Sequence, residues 1–200
     1  MERLILPVAL ALGLILAVPA GAATPKEDAA GLAAATAAAS TSVDPLLGLT
    51  PSDADVFCPG YAGQTPDERR AFWSAFLIDL ARSESRLNTS LSSWHAFDSD
   101  AGRPTFRRGL LQISIESAHK SEYGCDVAGP EALLQPEANL ACGVRILGAR
   151  IQADGAVAGK DAKAGALGAA RYWPSLADAK RRAAIAAETS SLAACLATAQ

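Results

Sequence analysis

Glu84 occupies a position in this 200-residue chain where the surrounding pattern calls for an apolar side chain. Phe72, Phe76 and Leu80 recur at helical spacing and form one stripe, and Glu84 is the next position on it. An acid that ends a core-facing stripe is partly desolvated, which favours its neutral form. A neutral carboxyl can protonate a leaving group, so Glu84 is a candidate general acid. The competing reading turns Glu84 outward at a frayed helix end, paired with Arg82 or Arg86. Asp98 and Asp100 follow in "FDSDAG", a composition ordinary for a turn.

Other chemistries are set aside by the residues themselves. "GAVAGKD", Gly155 to Asp161, resembles a phosphate-binding loop but is one residue short between its glycines and has Asp161 after the lysine, where Ser or Thr is needed. There is no G-x-S-x-G nucleophile elbow. His95 and His119 lack the i, i+4 partnership of a helical metal site and read as ordinary surface or core residues, so no metal or cofactor is expected. "NTS" at Asn88 fits a glycosylation acceptor, a triplet that is common by chance. A net charge of −3 and a pI near 5.4 argue against a nucleic-acid partner and against a polybasic membrane-surface protein.

The elements that must position Glu84 are legible. Thr65 as N-cap, Pro66 at the first helical position and Glu68 three residues after Thr65 form a capping box, which predicts a helix over about 66–86. The stretch from Asn88 to Phe106 has no sustained period and reads as an irregular excursion. "RGLLQIS" restores apolar character, and Ser114 is placed to cap a short helix that stops at Gly124. Pro136 opens a further helix with Leu140, Val144, Leu147 and Ile151 on one stripe, ending at Asp154-Gly155. A short helix before Pro174 and a long last one complete the set. With no period-2 run of β-branched residues, the expected class is all-α or nearly so.

The amino terminus reads as a secretory signal: "MERL", the apolar run "ILPVALALGLILAV" and the small-residue site "PAGAAT", with cleavage after Ala22. Residues 1–22 are thus a signal peptide, 23–50 an Ala-rich tether poor in large apolar residues, and 51–200 the folded domain. Export favours disulfides, and Cys58, Cys125, Cys142 and Cys195 form an even set with three connectivities open to it. The preferred pairing is Cys125 with Cys142, tying a loop to the helix after Pro136, and Cys58 with Cys195, joining the two ends of the domain.

Taken in order, "ESRLN" (Glu84 to Asn88), "GLLQIS" (Gly109 to Ser114) and "NLACGVRIL" (Asn139 to Leu147) resemble the motif set of the soluble lytic transglycosylase domain, a lysozyme-like fold. The resemblance implies a lysozyme-like helical domain stapled by two disulfides. It implies Glu84 as catalytic acid, Ser85 as the hydroxyl beside it, Leu111 and Gln112 as the cleft-lining segment, and Asn139 at the start of the following helix. "GAARYWPS" stands where the family has Ala-Tyr-Asn-Ala-Gly, which makes Tyr172 a candidate counterpart; Trp94, Phe97, Tyr123, Tyr172 and Trp173 are available to stack on sugar faces, although an aromatic in a helical protein is more often core. The implied activity is cleavage of the MurNAc-GlcNAc bond of peptidoglycan with one Glu as acid and then base, giving 1,6-anhydro-muropeptides. The alternatives are a hydrolytic muramidase using Asp98 or Asp100, and a non-catalytic wall-binding module. Expected partners are peptidoglycan glycan strands, with no nucleic acid, no stable membrane insertion after signal cleavage, a monomeric state, and a periplasmic or secreted location.

Overall fold

The computed structural model describes residues 29–98, 102–159 and 165–196. The signal peptide and Asp100 lie outside the described residues. Helix α1 (Ala29–Ser42) and a 3-10 turn (Asp44–Leu46) lead into the short α2 (Ala54–Phe57) and the central α3 (Pro66–Ser85). Strands β1 (Ser92–Asp98), β2 (Arg103–Arg108) and β3 (Ile113–Ser114) form an antiparallel sheet in that order. There follow α4 (Ile115–Ala118), α5 (Pro136–Asp154), α6 (Pro174–Ala177), α7 (Ala179–Ser190) and α8 (Ala193–Leu196).

The capping box of α3 is formed: the Glu68 amide donates to Thr65 Oγ1, and Glu68 Oε2 accepts from the Thr65 amide at 2.8 Å. Phe72, Phe76 and Leu80 are fully buried, as are Trp73 and Leu77 beside them. Each such side chain removed from water stabilises the fold by about 1.5–3 kcal/mol. In α5 the expected stripe of Leu140, Val144, Leu147 and Ile151 is buried, and Gly155 ends the helix at φ +68°. Both disulfides pair as expected, Cys58 with Cys195 and Cys125 with Cys142. On chain-entropy grounds the first, spanning 137 residues, contributes about 5 kcal/mol and the second, spanning 17, about 3.

Two expectations are corrected. Much of the supposed tether 23–50 is helix α1, whose Gly31, Ala35, Ala38 and Ala39 are buried against α3 and α5. These small residues do have a face to bury, because an alanine surface lets helix backbones approach closely; the stripe was inconspicuous for lack of bulk. Val43 and Leu46 then insert fully into the core.

The chain is also mostly helical, not all-α, because the supposed irregular excursion is the β1–β2 hairpin. Its pattern runs opposite to the usual one. Pairing sets Ser93 opposite Arg107 and His95 opposite Thr105 on one face, and Trp94 opposite Phe106 on the other. The polar face turns inward: Arg107, Thr105 and, past a register shift, Asp98 are buried, whereas Trp94 and Phe106 are exposed. The buried Asp98–Arg107 ion pair makes this inversion tolerable, with Arg107 Nε and Nη2 at 2.9 and 2.8 Å from Asp98 Oδ2.

Candidate active site

Glu84 lies in the last turn of α3, half-buried. Directly after it the helix ends on two consecutive non-glycine residues in the left-handed region, Arg86 at φ 55° and Leu87 at φ 63°, with Leu87 buried. Gln112, at φ 50°, is the third non-glycine residue of this kind among the described residues. Backbone strain of this sort persists where surrounding packing imposes it, and it clusters at functional sites. Glu84 Oε1 accepts a hydrogen bond from the Ser175 amide at 3.3 Å. Ser175 is itself buried, and its Oγ accepts from Ser83 Oγ at 2.8 Å and from Arg181 Nη1 at 3.2 Å. The acid is therefore held by the start of α6, which α7 braces through one hydroxyl. A groove of about 230 Å³ lined by Ser83 and Arg181 opens on the α7 side, but Glu84 does not line it.

The "GLLQ" segment is built by sterics and by one asparagine. Gly109 has φ +70°, and a Cβ there would meet the Leu133 carbonyl oxygen at 2.1 Å, so only glycine fits. Asn139 is fully buried; its Nδ2 donates to the Arg108 and Leu133 carbonyls at 2.9 and 2.8 Å, and its Oδ1 accepts from the Leu111 amide at 2.8 Å. The Leu111 side chain packs against Gly143 in α5, and its carbonyl accepts from Trp173 Nε1 at 2.9 Å.

Gln112 is spoken for within the protein. Its Nε2 donates to the Gly109 carbonyl at 2.8 Å and the Leu91 carbonyl at 3.2 Å, which fixes the amide orientation, and its Oε1 accepts from Ser93 Oγ. The Ser93 proton is thereby used, so the contact between His95 Nε2 and Ser93 Oγ at 3.2 Å requires the histidine to donate. Neutral His95 then carries its proton on Nε2 and keeps an acceptor lone pair on Nδ1. Partial burial, reinforced by the Arg107 guanidinium and opposed by Asp98, holds His95 below its ordinary pKa and hence neutral. The Ser93–His95 face of the hairpin is also the face on which Arg107 reaches the Tyr172 carbonyl at 3.5 Å, three residues before Glu84's partner Ser175.

Several residues expected to touch substrate are placed otherwise. The Ser85 hydroxyl is buried and bonds back to the Ala81 carbonyl of its own helix at 3.0 Å. Leu111 and Asn139 are interior and shape the segment from behind. Tyr123 and Tyr172 are buried edge to face at 6.4 Å, and Tyr172 packs the same way on Trp173 at 4.7 Å. Burial pushes the Tyr172 phenol up to about 12, with the nearby Ser117 hydroxyl and Arg107 charge partly opposing it, so it neither ionises at neutral pH nor offers a sugar its ring face. Asp98, one of the two candidate second carboxylates, is fully buried and clamped by Arg107. Ser93, Ser175 and the partnership of His95 were missed by sequence reasoning, since each depends on a contact across the fold.

The pattern of the transglycosylase SLT domain family matches residues 63–185. Among solved structures, the chain is similar to wild-type Bd0314 DslA, with 35% identity and a TM-score of 0.69, over 83% of this chain and 91% of that one. Two glutamate-to-glutamine mutants of DslA match at 34% identity, with the same TM-score and coverage. No curated protein sequence matches the chain.

Proposed function

Because the chain belongs to the transglycosylase SLT domain family, whose activity is cleavage of peptidoglycan of the lytic transglycosylase type, we propose that it is an exported enzyme of this type with Glu84 as its catalytic residue. The observation that carries the reading is the contrast between two acids. Glu84 Oε1 is steadied by the Ser175 amide while Oε2 has no hydrogen-bond partner among the described residues; Asp98 is buried and consumed by Arg107. That arrangement suits a mechanism with one working carboxyl.

Protonated Glu84 gives its proton to the oxygen bridging MurNAc C1 and GlcNAc as the C1–O bond breaks. The resulting carboxylate takes the proton of the MurNAc 6-hydroxyl as O6 bonds to C1. The acid is regenerated, no water is consumed, and the product is a 1,6-anhydro sugar. The Ser175 amide opposes swinging of the carboxyl between the two steps. His95, with its Nδ1 acceptor, and Ser93 are available to orient the glycan from the hairpin side. Export rests on the apolar leader at residues 1–22, and an envelope location follows from the substrate.

The test is mass analysis of the muropeptides released from purified cell wall. Anhydro products from the wild type, with none from Glu84→Gln, support the proposal. Products one water heavier and carrying a reducing end would replace it with hydrolysis, and binding without products would replace it with a wall-binding module.

A further inference from the structure

Among the described residues, the hairpin's outward face makes no hydrogen bond to Glu84, yet it gathers most of the large apolar side chains left exposed. Trp94, Phe97 and Phe106 are 60, 67 and 48% exposed, and they make up three of the five large apolar side chains left in water among the described residues. Trp94 and Phe106 are cross-strand partners, so their rings lie side by side on one face, and the Arg108 guanidinium sits 5.7 Å from the Phe106 ring. Next to them runs a groove of about 300 Å³ lined by Trp94, Arg103, Pro104, Phe106, Ile115 and Glu116. The inner face of the same strands carries Ser93, His95, Thr105 and Arg107. A hairpin that turns its charges in and its aromatics out is explained if the aromatics are covered by a ligand during function.

We propose that this outer face is an accessory glycan-binding platform that grips a peptidoglycan strand away from the bond being cut; the proposal rests on the function argued above. Flat aromatic side chains offer faces to the apolar C–H surfaces of pyranose rings. The groove adds polar groups for sugar hydroxyls and amides: the Arg108 guanidinium and, also lining it, the Arg103–Glu116 ion pair, whose carboxylate also accepts from Thr105 Oγ1 at 2.6 Å. Charge points the same way: the chain carries a net −3, whereas around this groove Arg103 and Glu116 neutralise each other and Arg108 leaves one positive charge, which suits the carboxylates of the wall's stem peptides. A bilayer is a poorer occupant, because Glu116 and its 2.7 Å ion pair with Arg103 would enter the interface together with the rings.

The test takes Glu84→Gln as the parent, so that binding is read without turnover, and measures co-sedimentation with purified insoluble peptidoglycan. Adding Trp94→Ser and Phe106→Ser should weaken retention about tenfold, and adding Arg108→Glu should weaken it further at low salt. In the Glu84 background, Trp94→Ser with Phe106→Ser should slow cleavage of intact wall far more than cleavage of a short soluble glycan from the same wall. Circular dichroism and thermal melting confirm that the variants fold. Unchanged retention, or an equal fall on wall and short glycan, overturns the platform while leaving the enzyme reading intact. Parent protein that sediments with phospholipid vesicles and not with peptidoglycan overturns it in favour of a membrane surface. A wild type that neither binds nor cleaves wall overturns the platform and the enzyme together.

Discussion

The helices and the hairpin that follows Glu84 in the chain are built on opposite rules. The helical side, α3 with α5 and α1, buries its apolar residues and leaves its charges in water; the hairpin side buries Asp98, Thr105 and Arg107 and exposes Trp94, Phe97 and Phe106. The helical side is held by non-directional burial, which tolerates small adjustments. The hairpin is held by one desolvated ion pair and a relay of hydrogen bonds, in which every partner must be present. The molecule thus joins a robust helical wall that carries Glu84 to a brittle hairpin wall that buries its polar groups.

The largest expected effect separates chemistry from both walls. Glu84→Gln should lower cleavage of peptidoglycan by about 10²–10⁴-fold, the usual share of a general acid, while the melting temperature stays close to that of the wild type. A comparable loss of stability in this variant would mean that Glu84 belongs to the architecture of α3 and not to catalysis.

Brittleness of the hairpin is tested next. Arg107→Leu strands a buried carboxylate and should cost about 3–5 kcal/mol in urea unfolding, whereas Arg107→Leu combined with Asp98→Leu should recover much of it. A single variant that costs under about 1 kcal/mol would show that the ion pair is not what holds the inverted face.

On the helical side the matching change is mild. Thr65→Ala removes half of the capping box of α3 and should cost about 1 kcal/mol, with peptidoglycan cleavage unaltered at temperatures well below the melt. A cost as large as that of Arg107→Leu would erase the contrast between the two walls.

The smallest effect concerns His95. Its pKa in the folded protein lies below the ordinary 6.5, so the folded state binds this proton less readily than the unfolded chain does. Its stabilising share is complete above pH 6.5 and is lost as the pH falls through the folded pKa. Wild type should therefore lose slightly more stability than His95→Gln on acidification below that point. Superimposable pH profiles of the melting temperature would show that the imidazole titrates as if in solvent.

How much was legible follows the same division. Thr65, Pro66 and Glu68 announced α3 and the Leu140–Ile151 stripe announced α5, because caps and stripes leave local marks in a sequence; the even cysteine count announced disulfides, and the preferred pairing of the three open to it is the one the structure has. The hairpin left none in the expected form: alternation is present in Ser93, Trp94 and His95, but with the polar residues inward it does not resemble a half-buried strand. Helix α1 was missed for the converse reason, since alanine marks its buried face only by being small.

By itself the sequence determined helices α3 and α5, an even cysteine set suited to disulfides, and the place of Glu84 next after Phe72, Phe76 and Leu80, since each depends on residue types or on residues close together in the chain. The tertiary structure alone decided what each polar group is free to do. Asp53 is buried and accepts the amides of Val157, Ala158 and Gly159, more than a hundred residues away. Asn139 turned out to brace Leu111, Asp98 to pair with Arg107, and Gln112 to be occupied by Ser93. A buried polar atom must find a partner wherever the fold brings one, and that partner is set by position in space, which spacing along the chain does not encode.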